Sequence, residues 1–556
     1  MTTPSQSSNL RNLHWPIVAL LAVVHSILFV IAFTSWGFSA VFVLATPIAI
    51  ASLQARRTLT LLAWTMATQS LAWLYLQAWV QEVSVAGWPA MAIYLATWTP
   101  ICAWCIRTLA HSRPFSTVPL ACLIPMVWLS IEYVRGTWAL GGYPWYLIGQ
   151  PTVDMLPLAQ VADLGGQDLA GLVPAAVGGL LADLVLSSAR LPKRRRIQTS
   201  VGVATLFFMV LGYGLLRIQP TDAGDQGPTI LAVQTNLPVS NKLRWTADQQ
   251  ANDVLSFARA TLSGLEEARA SGLEPDLAVW PETMLPAPGL ERESTQVFVE
   301  GGWFPGNEFR DLIEALRTQG GVPLILGAPS YEGIAVDEDG QFSWNAHHNS
   351  VYLVDQSLPD ARYDKITLTP FGETMPIISN WKWLEQKLLD FGAAGMTFDL
   401  DAGTSPILLP VGNLQVGTPI CFEDTVPGNC RALVWQNGDK AADLLINASN
   451  DGWFGTHDRE RRMHLQIARF RSIENRIPLL RVANTGITAL VDSSGRIIAQ
   501  SKPRVMTTKL FTPRLDGRQT LFASIGQLPV AILSILCLGS LILAIRGRMT
   551  EPGGNE

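Results

Sequence analysis

Three expected strand ends carry side chains able to do chemistry. Leu277 to Trp280 breaks at Pro281 and presents Glu282; Tyr363-Asp364 leads to Lys365, with Pro370-Phe371-Gly372-Glu373 just beyond; Gly417 to Ile420 ends at Cys421, followed by Phe422, Glu423 and Asp424. Carboxylate, ammonium and thiol serve as proton acceptor, fixed positive charge and nucleophile in covalent catalysis. Each position taken alone also has an ordinary reading: a solvated turn carboxylate, a surface ammonium, a buried structural cysteine. A free thiol titrates near about pH 8.5, so a cysteine that reacts at neutral pH needs help from its surroundings.

The elements that must hold these residues are legible in the texture of the chain. Short β-branched runs at Thr229 to Gln234, Leu277 to Trp280, Pro323 to Gly327, Ser350 to Val354, Gln415 to Cys421, Leu444 to Asn447 and Ala489 to Asp492 alternate with amphipathic stretches such as Gln249 to Ala270 and Phe309 to Gln319. That alternation predicts a layered α/β domain with a buried sheet, whose reactive groups emerge at strand ends.

The first 219 residues have a different texture. With 48% hydrophobic and 15% charged residues over 556 positions and a mean hydropathy of +0.24, disorder, collagen and a disulfide-stapled miniprotein are excluded. Up to Pro220 there are 12 basic and 6 acidic residues, against 28 and 39 beyond. Neither balance suits nucleic acid.

A hydrocarbon core of roughly 30 Å needs about 20 apolar helical residues to cross it. Seven runs qualify before residue 220: Trp15 to Phe33, Phe38 to Leu53, Leu59 to Val80, Val85 to Leu109, Val118 to Val134, Leu169 to Ser188 and Val201 to Leu216; an eighth lies at Ile525 to Ile545. The first is read as a retained helix, not a signal peptide, because further spans follow it closely. The expected division is a seven-span domain over 1–219, a catalytic domain over 220–523, and a last span with its tail over 524–556.

Arg11, Arg56 with Arg57, Arg107 with Arg113, Arg190 to Arg196, and Arg546 with Arg548 fall on one side of these spans. Basic residues accumulate in cytoplasmic loops, so both termini are expected inside and the domain between Ile218 and Ala523 outside. Arg135 and Arg217, at outer span ends, run against the bias. Lys193 to Arg196 reads as a topology signal, with an anionic-lipid site as the sharper reading. The irregular stretch from Gly141-Gly142-Tyr143-Pro144-Trp145 to Asp168 is expected to lie at the outer membrane interface. Glu132 with Arg135 reads as a charge pair snorkelling to the headgroups, or as a headgroup contact.

A Glu, a Lys and a Cys in this order, each at a strand end, resemble the triad of the nitrilase superfamily. With the flanking spans the resemblance narrows to the apolipoprotein N-acyltransferase family. The segments that carry it are Gln234-Thr235-Asn236 with Trp245, Trp280-Pro281-Glu282, Pro370-Phe371-Gly372-Glu373, Ile420-Cys421-Phe422-Glu423, Ser449-Asn450-Asp451-Gly452-Trp453-Phe454-Gly455 and Asn484-Thr485-Gly486-Ile487-Thr488. Phe422 departs from the Tyr that commonly follows the family's nucleophile.

The resemblance implies an α-β-β-α sandwich carried on eight transmembrane helices, in the bacterial inner membrane, acting as a monomer without a cofactor or metal. It implies an N-acyltransferase working through a thioester on Cys421. Glu282 would move protons, a role suited to a carboxyl in apolar surroundings; Lys365 and the Phe422 N–H would stabilise the oxyanion; Glu373 would orient Lys365 or assist proton transfer. Glu423, Asn349, Trp245 and Trp453 are expected as supporting or substrate-binding residues. The implied partners are a phospholipid donor, chiefly phosphatidylethanolamine through its sn-1 chain, and a lipoprotein whose N-terminal Cys carries diacylglycerol.

Rival readings are a membrane-tethered amidohydrolase with water as acceptor, and a catalytically silent scaffold. A Cys421–Cys430 disulfide is the rival to a nucleophilic thiol in an oxidising compartment. Cys102-x-x-Cys105 sits in an apolar helix and reads as core packing. His347-His348, just before Asn349, lacks usable metal partners and reads as a surface or loop pair.

Overall fold

The computed structural model describes residues 13–34, 37–186, 190–238, 245–302, 307–337, 341–376 and 400–549, and the single positions 381, 383 and 387. Arg11 and the end of the sixth apolar run, Ser187 and Ser188, lie outside the described residues. The chain forms two compact units, Met1–Ile218 with Ile525–Glu556, and Gln219–Ser524.

The first unit is helical. Its main helices are α1 (Trp15–Ala32), α2 (Val41–Gln54), α3 (Thr58–Leu76), α4 (Gly87–Ala96), α5 (Trp98–Ala110), α6 (Leu120–Thr137), α7 (Leu172–Leu186), α8 (Lys193–Arg217) and, from the other end of the chain, α13 (Leu528–Met549). Five stretches are long and apolar enough to cross a membrane: Trp15–Ala32, Gly87–Ala110, Gln167–Leu186, Lys193–Arg217 and Leu528–Gly547; Phe38–Gln54 is apolar but shorter. The unit is accordingly that of a membrane protein. Helices α3 and α6 carry buried polar side chains. Gln69 of α3 donates to Ser26 at 3.0 Å, and α6 carries Glu132 and Arg135.

One expectation fails in this unit. Glu132 and Arg135 are both buried and do not snorkel. Glu132 accepts from Trp128 Nε1 and Ile148 N, each at 2.9 Å, while Arg135 Nη2 donates to Tyr146 O at 3.1 Å. The segment expected at the interface folds back against these groups: Trp145, Tyr146, Gln150 and Asp163 are buried. Irregular backbone is tolerated within a membrane unit where protein satisfies its polar groups, and Glu132, Arg135 and Gln150, which donates to Pro144 O at 2.5 Å, do so here.

The second unit holds two six-stranded sheets. The first runs in the order β12-β1-β2-β3-β4-β5, where β1 is Ile230–Gln234, β2 Leu277–Val279, β3 Leu324–Glu332, β4 Ala346–Val354, β5 Ala361–Asp364 and β12 Thr507–Phe511. The second runs β11-β10-β9-β8-β7-β6, where β6 is Leu409–Val411, β7 Leu414–Gly417, β8 Leu444–Ser449, β9 Leu479–Ala483, β10 Ala489–Val491 and β11 Ile497–Gln500. The neighbours β1-β2-β3 and β7-β8-β9 pair in parallel.

Strand periodicity shows the layers. Ile230, Ala232, Leu277 and Val279 join Val351, Val416, Leu444 and Ile446 in a core between the sheets. Their neighbours Leu231, Val233, Ala278 and Trp280 face the other way, onto Phe257 of α9 (Ala247–Ala270) and Ile313 of α10 (Glu308–Gly320). α11 (Pro427–Val434) and α12 (Asp458–Asn475) contribute Leu433, Leu465 and Ala468 to the core that includes the second sheet. This is the expected α-β-β-α sandwich.

Candidate active site

Glu282 follows β2 because Pro281 has no N–H to extend the ladder. Trp280 anchors the strand end, donating from Nε1 to Thr261 at 2.9 Å. The turn then passes so close to β3 that a side chain at Gly327 would meet Glu282 Cα at 2.6 Å. Lys365 follows β5, its N–H bonded to Asn349 O at 2.9 Å. Cys421 opens a short 3-10 turn, Cys421–Thr425, after β7. Its φ of +47° is uncommon for a residue with a side chain and marks a strained position. The first N–H groups of such a turn have no acceptor within it, which leaves the Phe422 N–H directed away from the turn's own bonds.

Lys365 is buried and sits between two carboxylates, 2.7 Å from Glu373 and 3.7 Å from Glu282. Asn349, in the middle of β4, donates from Nδ2 to Glu282 at 2.7 Å and to Glu373 at 3.2 Å. Its Oδ1 is buried without a hydrogen bond. The second oxygen of Glu282 accepts from Asn450 N at 2.8 Å, and Glu373 accepts from Thr369 N at 2.8 Å.

The electrostatics follow from burial and from these contacts. Burial pushes the Cys421 thiol well above its ordinary range; the charge of Glu282 adds to this and Lys365 opposes it. At rest the sulfur is therefore protonated, and a base must take its proton during attack. Burial would lower Lys365, but Glu373, Glu282 and Cys421 hold it above its usual value. Burial would raise Glu373, but Lys365 and the Thr369 bonds keep it below the carboxylate range.

Glu423 is brought to the site but does not face a reacting atom. It accepts from the backbone N–H of Ile366, Thr367 and Ile420, each at 2.8 Å, and from Tyr363 Oη. One carboxylate thus ties the Lys365 loop to the Cys421 turn, and burial lifts it to about 7 against these bonds. Phe422 is buried. Trp245 packs on the helix side of the first sheet and donates to Asp253 at 2.8 Å, while Trp453 is half-buried in the turn after β8.

Cys421 and Cys430 are free thiols, so the disulfide rival is removed. His348 is not a loop residue; it lies buried in β4. Glu332, His348 and Asp364 come within metal-ligand reach of one another, but Arg362 lies at 2.8 Å from both carboxylates and supplies the positive charge.

One buried group has no counterpart in the sequence reading. His464 of α12 lies between Asp424 and Asp451, at 2.8 and 2.9 Å. Arg481 of β9 reaches Asp451 at 2.7 Å, Asp424 at 3.3 Å and Ser449 at 2.9 Å. Asp451 follows Asn450, which holds Glu282, and Asp424 is in the Cys421 turn. The sequence signal available was Asp451 inside the Ser449 to Gly455 segment; His464 and Arg481 gave none.

The fold is an α-β-β-α sandwich, and it groups Glu282, Lys365, Glu373 and Asn349. Residues 232–516 match the family model for carbon-nitrogen hydrolase, and residues 12–180 match the apolipoprotein N-acyltransferase N-terminal domain. Similar curated proteins include the apolipoprotein N-acyltransferases of Geobacter metallireducens, 28% identical over 75% of this chain and 72% of that one, and of Ralstonia nicotianae, 28% identical over 94% and 92%. Among solved structures, an amidase from Nesterenkonia sp. aligns with 15% identity, a TM-score of 0.33, and coverage of 54% of this chain and 95% of that one. A carbon-nitrogen hydrolase from Helicobacter pylori G27 aligns with 14% identity, a TM-score of 0.33, and coverage of 55% and 91%. The chain belongs to the carbon-nitrogen hydrolase family, and within it to the apolipoprotein N-acyltransferases. It is an acyltransferase.

Proposed function

We propose that the protein moves a fatty acyl chain from a phospholipid to the α-amine of a lipoprotein's N-terminal diacylglyceryl-Cys, through a thioester on Cys421. The donor is phosphatidylethanolamine, through its sn-1 chain. The observation that carries this reading is the grouping of Glu282, Lys365, Glu373 and Asn349, with a thiol whose ionisation responds to Glu282 and Lys365.

In the first half-reaction Glu282 takes the thiol proton as sulfur attacks the ester carbonyl. Lys365 and the Phe422 N–H stabilise the oxyanion, where losing one donor costs about 3 to 4 kcal/mol. Glu282 then returns the proton to the departing lysophospholipid oxygen. In the second half-reaction the lipoprotein amine attacks the thioester, Glu282 accepts the amine's proton, and the thiol is released. Glu373 and Asn349 hold Lys365 and Glu282 in place, and Glu423 fixes the Cys421 turn against the Lys365 loop. Both substrates stay in the bilayer because burial stabilises their chains by about 0.8 kcal/mol per methylene. For that chemistry the chain is read as a monomer in the bacterial inner membrane with eight spans, seven before residue 219 and one after 524. The domain over 220–523 then stands on the extracytoplasmic side, with both termini inside.

Intact mass after exposure to phospholipid tests this. A fatty-acyl increment on Cys421, absent in Cys421→Ala and discharged by a lipoprotein-like amine faster than by water, is expected. Discharge by water alone would establish the amidohydrolase reading, and no increment in a folded protein would leave only a scaffold.

A further inference from the structure

The helical unit contains a groove that the acyl-transfer chemistry does not use. It lies between the start of α6, Ala176 of α7 and the first half of α8, has a volume of about 460 Å³, and is lined along α8 by Arg195, Gln198, Thr199, Gly202, Val203 and Leu206. Ala121, Ala176 and Val203 form a floor of small apolar side chains. A side chain built at Gly202 would meet nothing within 4 Å, so α8 carries a gap there.

The lining is graded. Polar groups stand at one end and apolar ones at the other, over eleven helical positions from Arg195 to Leu206. At 1.5 Å per residue that is roughly 16 Å, close to the half-thickness of a hydrocarbon core of about 30 Å. The volume falls within the range of small-molecule sites, roughly 300 to 1,000 Å³. The polar end also carries uncompensated charge. Lys193, Arg194, Arg195 and Arg196 open α8 with no acidic residue in its first turn and no side-chain cap, at the helix end where positive charge is disfavoured. The wall is fixed independently of any occupant: Asp183 of α7 accepts from Leu120 N at 2.7 Å, Arg190 donates to Val118 O at 2.5 Å, and Arg195 donates to Thr117 O at 3.1 Å.

We propose that this groove holds one anionic glycerophospholipid from the surrounding bilayer. Its phosphate and acidic headgroup sit on Arg195, Gln198 and Thr199, at the end of α8 that also carries Lys193, Arg194 and Arg196. One acyl chain lies along α8 over Gly202 and Val203 toward Leu206. The site is distinct from the donor site at Cys421, and the lipid is retained, not consumed.

The test uses full-length, delipidated protein in neutral detergent, in a Cys421→Ala background so that no acyl-enzyme forms. Native mass spectrometry measures retention of dioleoyl phosphatidylglycerol and of dioleoyl phosphatidylcholine. One phosphatidylglycerol is expected to be retained with at least a fivefold preference. Gly202→Leu, which fills the gap, should lower its occupancy at least fivefold, and Arg195→Gln should remove the headgroup preference. With Cys421 restored, Gly202→Leu should transfer acyl groups as the parent does, which separates this site from the donor site. Equal retention of the two lipids, or unchanged retention in both variants, overturns the proposal. If Gly202→Leu does not fold, Arg195→Gln alone decides it.

Discussion

At the scale of residues, the proposed chemistry turns on a thiol that burial holds above its ordinary range. Glu282 raises the thiol and Lys365 opposes it, so the two partners can be separated by experiment. Glu282→Gln removes a negative charge from beside the sulfur, and the thiol should then titrate at lower pH, read from iodoacetamide alkylation rates against pH. Acyl transfer should nevertheless fall by roughly 10² to 10⁴, the usual contribution of a positioned base. An alkylation midpoint that moves upward, or transfer that survives, contradicts the assignment of Glu282. Lys365→Met removes an oxyanion partner and leaves Glu373 buried beside Glu282 without the ammonium between them. Transfer should drop by roughly 10² to 10³, and stability by about 3 to 5 kcal/mol, as when a buried pair loses one member. Restored transfer in Lys365→Met at any pH would exclude the oxyanion role.

At the scale of elements, polar groups that looked peripheral hold the site together. α12 reads Asp-Arg-Glu-Arg-Arg-Met-His along its first two turns, a pattern that suggests a solvated helix, yet Glu460, Arg461, His464, Arg469, Arg471 and Glu474 are buried. Buried charge is tolerated when paired: Arg471 pairs with Glu474 and Arg461 with Asp458 within α12, whereas His464 takes Asp424 from the turn after β7 and Asp451 from the turn after β8, two carboxylates that Arg481 of β9 also holds. Pairing between segments this far apart in sequence has no local signature. Glu282 and Cys421 were legible because each ends an apolar run, whereas Lys365, after Ala361-Arg362-Tyr363-Asp364, was legible only as a member of the ordered Glu, Lys and Cys set. Asn349 lies inside β4 among His347, His348 and Ser350 and was expected at the site through the resemblance alone. The strand alternation that places Ile230 and Leu231 in different layers was equally legible.

The pairing predicts a pH dependence. Burial and Arg481 push His464 down, but Asp424 and Asp451 prevail and hold it above its ordinary value. A histidine raised in the folded state contributes stability that is complete below its unfolded pKa of about 6.5 and is lost as pH rises through the folded value. The catalytic unit should therefore unfold at progressively lower temperature as pH rises above about 6.5, by tryptophan fluorescence in detergent. His464→Gln should flatten that alkaline limb and lower stability at pH 6. A limb of equal slope in the variant would show that another group titrates there.

At the scale of the whole molecule, orientation rests on the distribution of basic residues, and the two that ran against it have structural explanations. Arg217 is paired with Asp163 at 2.7 Å, and the same carboxylate accepts from Tyr213 at 2.6 Å. Arg135 is buried against Tyr146 O. Cations neutralised or consumed within the helical unit report on packing, whereas those that set topology stand in the loops. The same criterion removes Arg107, which is buried in α5 and donates to Ser52 O at 2.8 Å; what is left on the side read as cytoplasmic is Arg56, Arg57, Arg113, the Lys193 to Arg196 run and Arg546, with the linker after Arg217 read on the other. Alkaline phosphatase, active only outside the cytoplasm, is then expected to be active when fused after Gln219 and inactive when fused after Arg196. Green fluorescent protein fused after Glu556 is expected to fluoresce, as it does in the cytoplasm. Arg217→Gln should leave all three readouts unchanged, because that charge belongs to Asp163. Phosphatase activity at Arg196, or a dark C-terminal fusion on a folded protein, would place the thiol on the cytoplasmic face and remove the lipoprotein N-terminus from its reach.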